Sequence, residues 1–141
     1  MQTPKYNIIF EETLPYSLDS ELGLIELARK GVTKKAVQKL AALGSLSMKK
    51  MAELLPISER TLQRYKDTVR LNKDASEHVI IISRALLKAE AIFNDAEKLK
   101  NWLHSPSLAL GQRTPLSLLD TSFGAQMVMD ELGRMEYGVY S

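Results

Sequence analysis

The stretch NDAEKLKNWLHSPSLALGQRTPLSLLDTSFGAQMVMDELGRMEYG, residues 94–138, sets several explicit corners between short apolar runs, and few chain paths satisfy all of them. Asn94 with Glu97 three residues on forms a capping pair for free amides at a helix start, and Leu99, Trp102 and Leu103 then share one helical face. Ser105-Pro106 ends that helix. Leu108-Ala109-Leu110-Gly111 is too apolar for a solvated loop, so its leucines are expected to tuck beneath the neighbours before Gly111 turns the backbone. Thr114 caps the next start. Pro115 takes the first helical position, where its missing amide costs nothing, and Leu116, Leu118 and Leu119 fill a short helix ending near Asp120. A last helix from Ser122 to about Tyr137 is predicted to set Phe123, Met127 or Val128, Leu132 and Met135 on a broad apolar stripe.

The segments upstream read the same way. KYNIIF, residues 5–10, has the look of a short strand that must either pair, for instance with its copy in another subunit, or pack down as irregular structure. Pro15 and Ser17 lead into a helix over about 19–30 with Leu22, Ile25, Leu27 and Ala28 apolar, stopped by Gly31. Thr33 caps a helix over 34–43 that turns Ala36, Val37, Leu40 and Leu43 inward and Lys34, Lys35 and Lys39 outward, closed by Gly44. Residues 76–93 are apolar over more than one face. Val79, Ile82, Leu86, Ala89 and Phe93 make one stripe and Ile81, Ala85 and Ile92 widen it, as a central helix would require. No Gly/Ser/Pro-rich linker interrupts residues 57–105, so the two halves are expected to move as one body.

Between 47 and 69 lie two short helices with a tight turn. Ser47 caps the first, which buries Met51, Ala52 and Leu55; Ser58 caps the second, which buries Leu62, Tyr65 and Val69, with Ile57 pinning the turn. That is helix-turn-helix spacing, and Ala52 is small enough for the helices to cross closely. The charge agrees with it. Residues 29–73 hold twelve Lys or Arg against three acids, a balance of +9, whereas residues 1–28 sum to −4 and residues 74–141 to −3. Arg60, Gln63 and Arg64 face outward from the second helix as candidate base readers. Arginine pairs two-pronged with guanine and glutamine with adenine across the major groove. Ser58, Lys49, Lys50 and Lys66 are placed nearer phosphates, where they contribute affinity without sequence information. Operator half-sites a helical turn apart call for two such helices, hence a homodimer. The plainer alternative is a solvated basic face.

This unit resembles the DNA-binding part of Xre-like repressors, departing from it at Pro56, which stands where Gly is common and cannot adopt positive φ. The C-terminal third resembles the toxin-binding domain of Xre/MbcA/ParS-type antitoxins. Trp102, Leu103, Pro106, Ala109, Leu110, Gly111, Thr114, Pro115, Leu119, Thr121, Gly124 and Gly138 match in order and spacing. The resemblance implies an all-α fold and a partner, a RES-domain toxin that consumes NAD, whose active site the antitoxin covers. It implies a division into a helix-turn-helix region, residues 1–75, and a helical toxin-binding domain, residues 76–141. The toxin contact is expected at Arg134, Tyr137, Gly138, Val139, Tyr140 and Ser141, because two tyrosines on a small, polar terminus give large contact area at low entropic cost. A frayed end without a role is the competing reading of those tyrosines.

Enzyme chemistry finds little support. His78 and His104 are isolated, with neither metal-ligand spacing nor carboxylate company, and there is no phosphate loop, G-x-S-x-G or H-E-x-x-H. Without cysteine there is no disulfide, thiolate catalysis or sulfur-ligated metal, and no cofactor is expected. The start MQTPKYNIIFEE lacks the regions of a signal peptide and no apolar run reaches spanning length, so a cytoplasmic protein with no membrane partner is expected. The sequence leaves two readings: an antitoxin that also represses its own operon, or a DNA-binding regulator whose C-terminal part only dimerises or binds another ligand.

Overall fold

The computed structural model describes residues 5–14 and 16–138. Among these, eight α-helices and no strand are found: α1 Lys5–Phe10, α2 Glu21–Lys30, α3 Lys34–Leu43, α4 Met48–Leu54, α5 Glu59–Arg64, α6 Lys73–Phe93, α7 Ala96–Leu103 and α8 Ser122–Glu136. Two 3-10 turns, Leu108–Leu110 and Leu116–Leu118, lie between α7 and α8.

Polar caps set most of the helix starts. The side chains of Ser20, Thr33, Ser47, Ser58, Asn72, Asp95 and Thr121 each accept a hydrogen bond from an amide three residues on, satisfying one of the donors that a helix start leaves open. Two expected caps move. Asn94 ends α6 in the left-handed conformation (φ 49°) and Asp95, not Asn94, caps α7. Gly31 has the positive φ expected of a stop, but Gly44 does not; Ser45 beside it takes that conformation at φ 56°.

α6 is the spine. α2 packs against it on one side and α7 and α8 on another, so both halves of the chain share one core. Val79, Ile82, Ala85, Leu86 and Ala89 are buried as expected, while Ile81, Ile92 and Phe93 are only half-buried and Trp102 of α7 packs on Phe93 with the rings tilted and their centroids 5.4 Å apart. Two long-range hydrogen bonds fasten the core, the first across the two halves and the second within residues 76–141. His104 Nε2 lies 3.0 Å from the Gly44 carbonyl and His78 Nε2 lies 3.0 Å from the Leu119 carbonyl, which gives both histidines a structural partner.

Residues 5–10 are a helix, not the expected strand. Tyr6, Ile9 and Phe10 follow helical spacing, Tyr6 stacks on Phe10, and the turn packs on α3 where no strand edge is on offer. The buried face of α2 also differs. Gly23, Leu24, Leu27 and Ala28 go inside, and Leu22 and Ile25 stay out, because Gly23 carries no side chain and lets the helix approach the chain at Ser17.

Candidate functional site

The helix-turn-helix unit is built on α3, α4 and α5. Met51, Ala52 and Leu54 of α4, Leu55 just after it and Leu62 of α5 are buried, and α4 packs on both α3 and α5, so α5 keeps Arg60, Gln63 and Arg64 outside. The turn is made without a left-handed residue: Leu55 is extended (φ −113°), Pro56 follows on the surface and Ile57 reaches back to the core. Proline is thus compatible with this turn.

α5 is shorter than expected. It stops at Arg64, with Tyr65 extended, so Lys66, Asp67 and Val69 lie in the following loop and Tyr65 and Val69 are half-buried rather than buried. Its end is fastened by Lys34, whose Nζ donates to the carbonyls of Gln63 at 3.2 Å and Tyr65 at 2.8 Å. A cation there also meets the negative end of the helix dipole. Spacing alone had turned Lys34 to solvent.

Arg60 and Arg64, one helical turn apart, are exposed together with Gln63, whose Nε2 donates to Glu59 Oε1 at 3.0 Å. Ser58 is held as the cap of α5, accepting from the Thr61 amide and donating to the Thr61 hydroxyl. Lys50 pairs with Glu53 at 3.2 Å.

The +9 block is partly neutralised from within. Glu11 and Glu12, in the arm after α1, reach Lys35, Lys39, Lys30 and Arg70. Hydrogen bonding from Lys39, with the charge of Lys35, holds the Glu11 carboxyl below its ordinary value. Burial pushes the Glu12 carboxyl up, but hydrogen bonds from Arg70 and Lys30 outweigh it and leave that carboxyl low as well. Lys49, Arg60, Arg64, Lys66 and Lys73 make no ion pair with a described residue, and all of these but Lys73, which starts α6, lie on or beside α4 and α5, so most of the remaining attraction to a polyanion is there.

The second face lies on α8. Ala125, Val128 and Leu132 are buried and Met129 and Met135 half-buried, so the stripe expected to include Phe123 and Met127 faces elsewhere. Phe123 is 86% exposed, Met127 46% and Tyr137 83%. Spaced at 123, 127, 130, 134 and 137, Phe123, Met127, Asp130, Arg134 and Tyr137 line one outer face of the helix and its cap. Leu108, in the turn that packs on α8, is 81% exposed while Leu110 beside it is buried, so only one of the two leucines tucks in. Arg134 donates from Nε and Nη2 to Glu131, a buried carboxylate, at 3.1 and 2.9 Å. Gly138 leaves the helix at φ 71°. Val139, Tyr140 and Ser141 lie outside the described residues. Periodicity counts Phe123 as core, and the tail's two tyrosines point to a partner. The missed signal is that Gly124 and Ala125, not Phe123, supply the close-packed face at the helix start.

No helix among the described residues is long and apolar enough to cross a membrane.

Residues 23–80 match the family model of the antitoxin Xre-like helix-turn-helix domain, and residues 88–138 that of the antitoxin Xre/MbcA/ParS C-terminal toxin-binding domain. The chain is 29% identical over 120 residues to an "Antitoxin Xre" of Yersinia enterocolitica, an alignment covering 84% of this chain and 81% of that one. It is 37% identical over 73 residues to an "Antitoxin Xre" of Photorhabdus laumondii, covering 51% and 49%. A "Prs ADP-ribosylating antitoxin" of a Sphingobium species is 25% identical over 132 residues, covering 86% and 83%.

Proposed function

We propose that this chain, which belongs to the Xre/MbcA/ParS-type antitoxin family, neutralises a RES-type, NAD-consuming toxin by covering its active site and represses its own operon through α5. It does so as a binding protein rather than an enzyme, in the cytoplasm, with residues 1–75 as the DNA-binding region and residues 76–141 as the toxin-binding domain. The observation that carries the reading is the exposed apolar face of α8. Phe123, Met127 and Tyr137 stand in solvent inside the segment that matches a toxin-binding model, where a lone domain would have no use for them. The name of the Sphingobium relative supports the partner's chemistry, since ADP-ribosyl groups come from NAD.

In this reading α8 is the anchor, and Tyr137 and Gly138 with Val139, Tyr140 and Ser141 enter the toxin's cleft. Arg134 positions that end of the helix through Glu131. The test is deletion of residues 137–141 in cells that express the toxin gene next to this one. Expected is a folded protein that no longer protects; full protection by the truncated chain overturns the covering role.

On the other face, Arg60, Gln63 and Arg64 read bases while Lys49, Lys50 and Lys66 meet phosphates, with Ser58 presenting the helix start. Replacing Arg60 and Arg64 together by alanine is expected to lower affinity for promoter DNA about 100-fold, as loss of base contacts worth about 1–3 kcal/mol each implies. Retardation of the promoter fragment at wild-type concentrations overturns the assignment. Reading two half-sites takes two copies of α5, so the binding unit is a homodimer.

A further inference from the structure

A groove of about 380 Å3 runs between α2 and α6. Leu24 and Ile80 form its apolar floor and Ile25 and Ile81 its upper walls. Leu22 and Ile25, 54% and 43% exposed, continue the apolar surface along α2. None of the lining residues comes from α5 or α8, so an occupant leaves both proposed binding faces open.

The charge order along α2 identifies that occupant. Glu21, Ile25 and Arg29 are spaced four residues apart on one face, acid at the start, apolar in the middle, base at the end. A two-fold interface sets a patch against itself in reverse, so every residue must meet its complement on the same patch. Laid antiparallel on its own copy, this helix brings Glu21 to Arg29 of the second copy at both ends and Ile25 to Ile25 on the axis. Among the described residues, Glu21 and Arg29 pair only with exposed partners, Arg84 at 3.5 Å and Glu26 at 3.3 Å, so both can change partner at little cost.

We infer that the groove between α2 and α6 seats α2 of a second copy of this chain, with the two-fold axis at Ile25. The inference rests on the dimeric reading above and supplies its surface. Ile25→Glu is expected to yield a folded monomer by sedimentation equilibrium under conditions where the wild-type chain is a dimer. Glu21→Arg and Arg29→Glu should each weaken the dimer at least about tenfold, because each sets two like-charge contacts across the axis. Mixing those two variants, or combining both changes in one chain, restores the opposite-charge contacts and should restore the dimer. The chain has no cysteine, so Ile25→Cys should cross-link two copies on oxidation.

A wild-type chain that stays monomeric at every concentration ends the dimeric reading itself. A wild-type dimer that survives Ile25→Glu ends the assignment of this groove alone. Single-variant losses that neither the mixture nor the double change repairs end the antiparallel pairing. An Ile25→Glu dimer that has lost its toxin gives the groove to the toxin, which also overturns the proposal.

Discussion

Gly124→Ala is expected to destabilise the protein by about 3 kcal/mol, the upper end of what overpacking costs. A Cβ on Gly124 would lie 1.9 Å from the Leu118 carbonyl oxygen and 2.8 Å from its carbon, a backbone obstacle that no side-chain rotation removes. The approach is tight because Thr121 caps α8 by accepting from the Gly124 amide at 3.0 Å, which draws the helix start under the preceding 3-10 turn. Moving the helix away would separate Val128 and Leu132 from α6, and that contact is the main packing of the C-terminal half. Urea denaturation should show the midpoint lowered by roughly 1–2 M. Gly133→Ala, on the same helix, is the control. Its Cβ would find nothing nearer than the Lys88 amine at 3.8 Å, so a helix-interior glycine replaced there should stabilise by about 0.5–1 kcal/mol. If both variants melt alike, close approach is not what Gly124 provides.

The same device occurs at α2, where Ser20 accepts from the Gly23 amide and a Cβ on Gly23 would lie 1.8 Å from the Ser17 carbonyl oxygen. These two sites explain much of what was and was not legible in the chain. Corners were legible because they are local: Thr33, Ser47, Ser58 and Thr114 declare themselves by residue type and place, and α3 runs over the residues expected. The individual helices followed from those corners and the all-α fold from the family resemblance, except at residues 5–10, where six apolar-rich residues fit either period and packing on α3 decided for a helix. Which face of a helix goes inside was less legible. At α2 and α8 a glycine creates the packed face, so Leu22, Ile25, Phe123 and Met127 are displaced outward although periodicity counts them as core. Periodicity weighs hydrophobicity, and it cannot distinguish a side chain buried in its own core from one held out for another molecule. Tertiary partners were illegible for the same reason. Nothing near Lys34 in sequence announces the carbonyls of Gln63 and Tyr65, and nothing near Glu12 announces Arg70.

Phe123→Glu, one residue from Gly124, is expected to have the opposite signature. The ring is almost wholly exposed, and position 123 lies in the first turn of α8, where a carboxylate meets the positive end of the helix dipole, so stability should change by no more than about 0.5 kcal/mol. Binding to the toxin should instead weaken by about 100-fold. A buried aromatic anchor at the centre of an interface is worth about 2–4 kcal/mol, and the substitution adds a charge that the toxin's apolar surface cannot solvate. Most of the change should appear in the dissociation rate, since the encounter does not depend on one ring. Set beside the tail deletion, this variant separates two contributions. If α8 is the anchor and the terminus the plug, Phe123→Glu loses the complex, whereas removal of residues 137–141 leaves a complex in which the toxin remains active. A Phe123→Glu protein that holds the toxin as tightly as the wild type does would move the anchor off α8 and leave the terminus as the sole proposed contact.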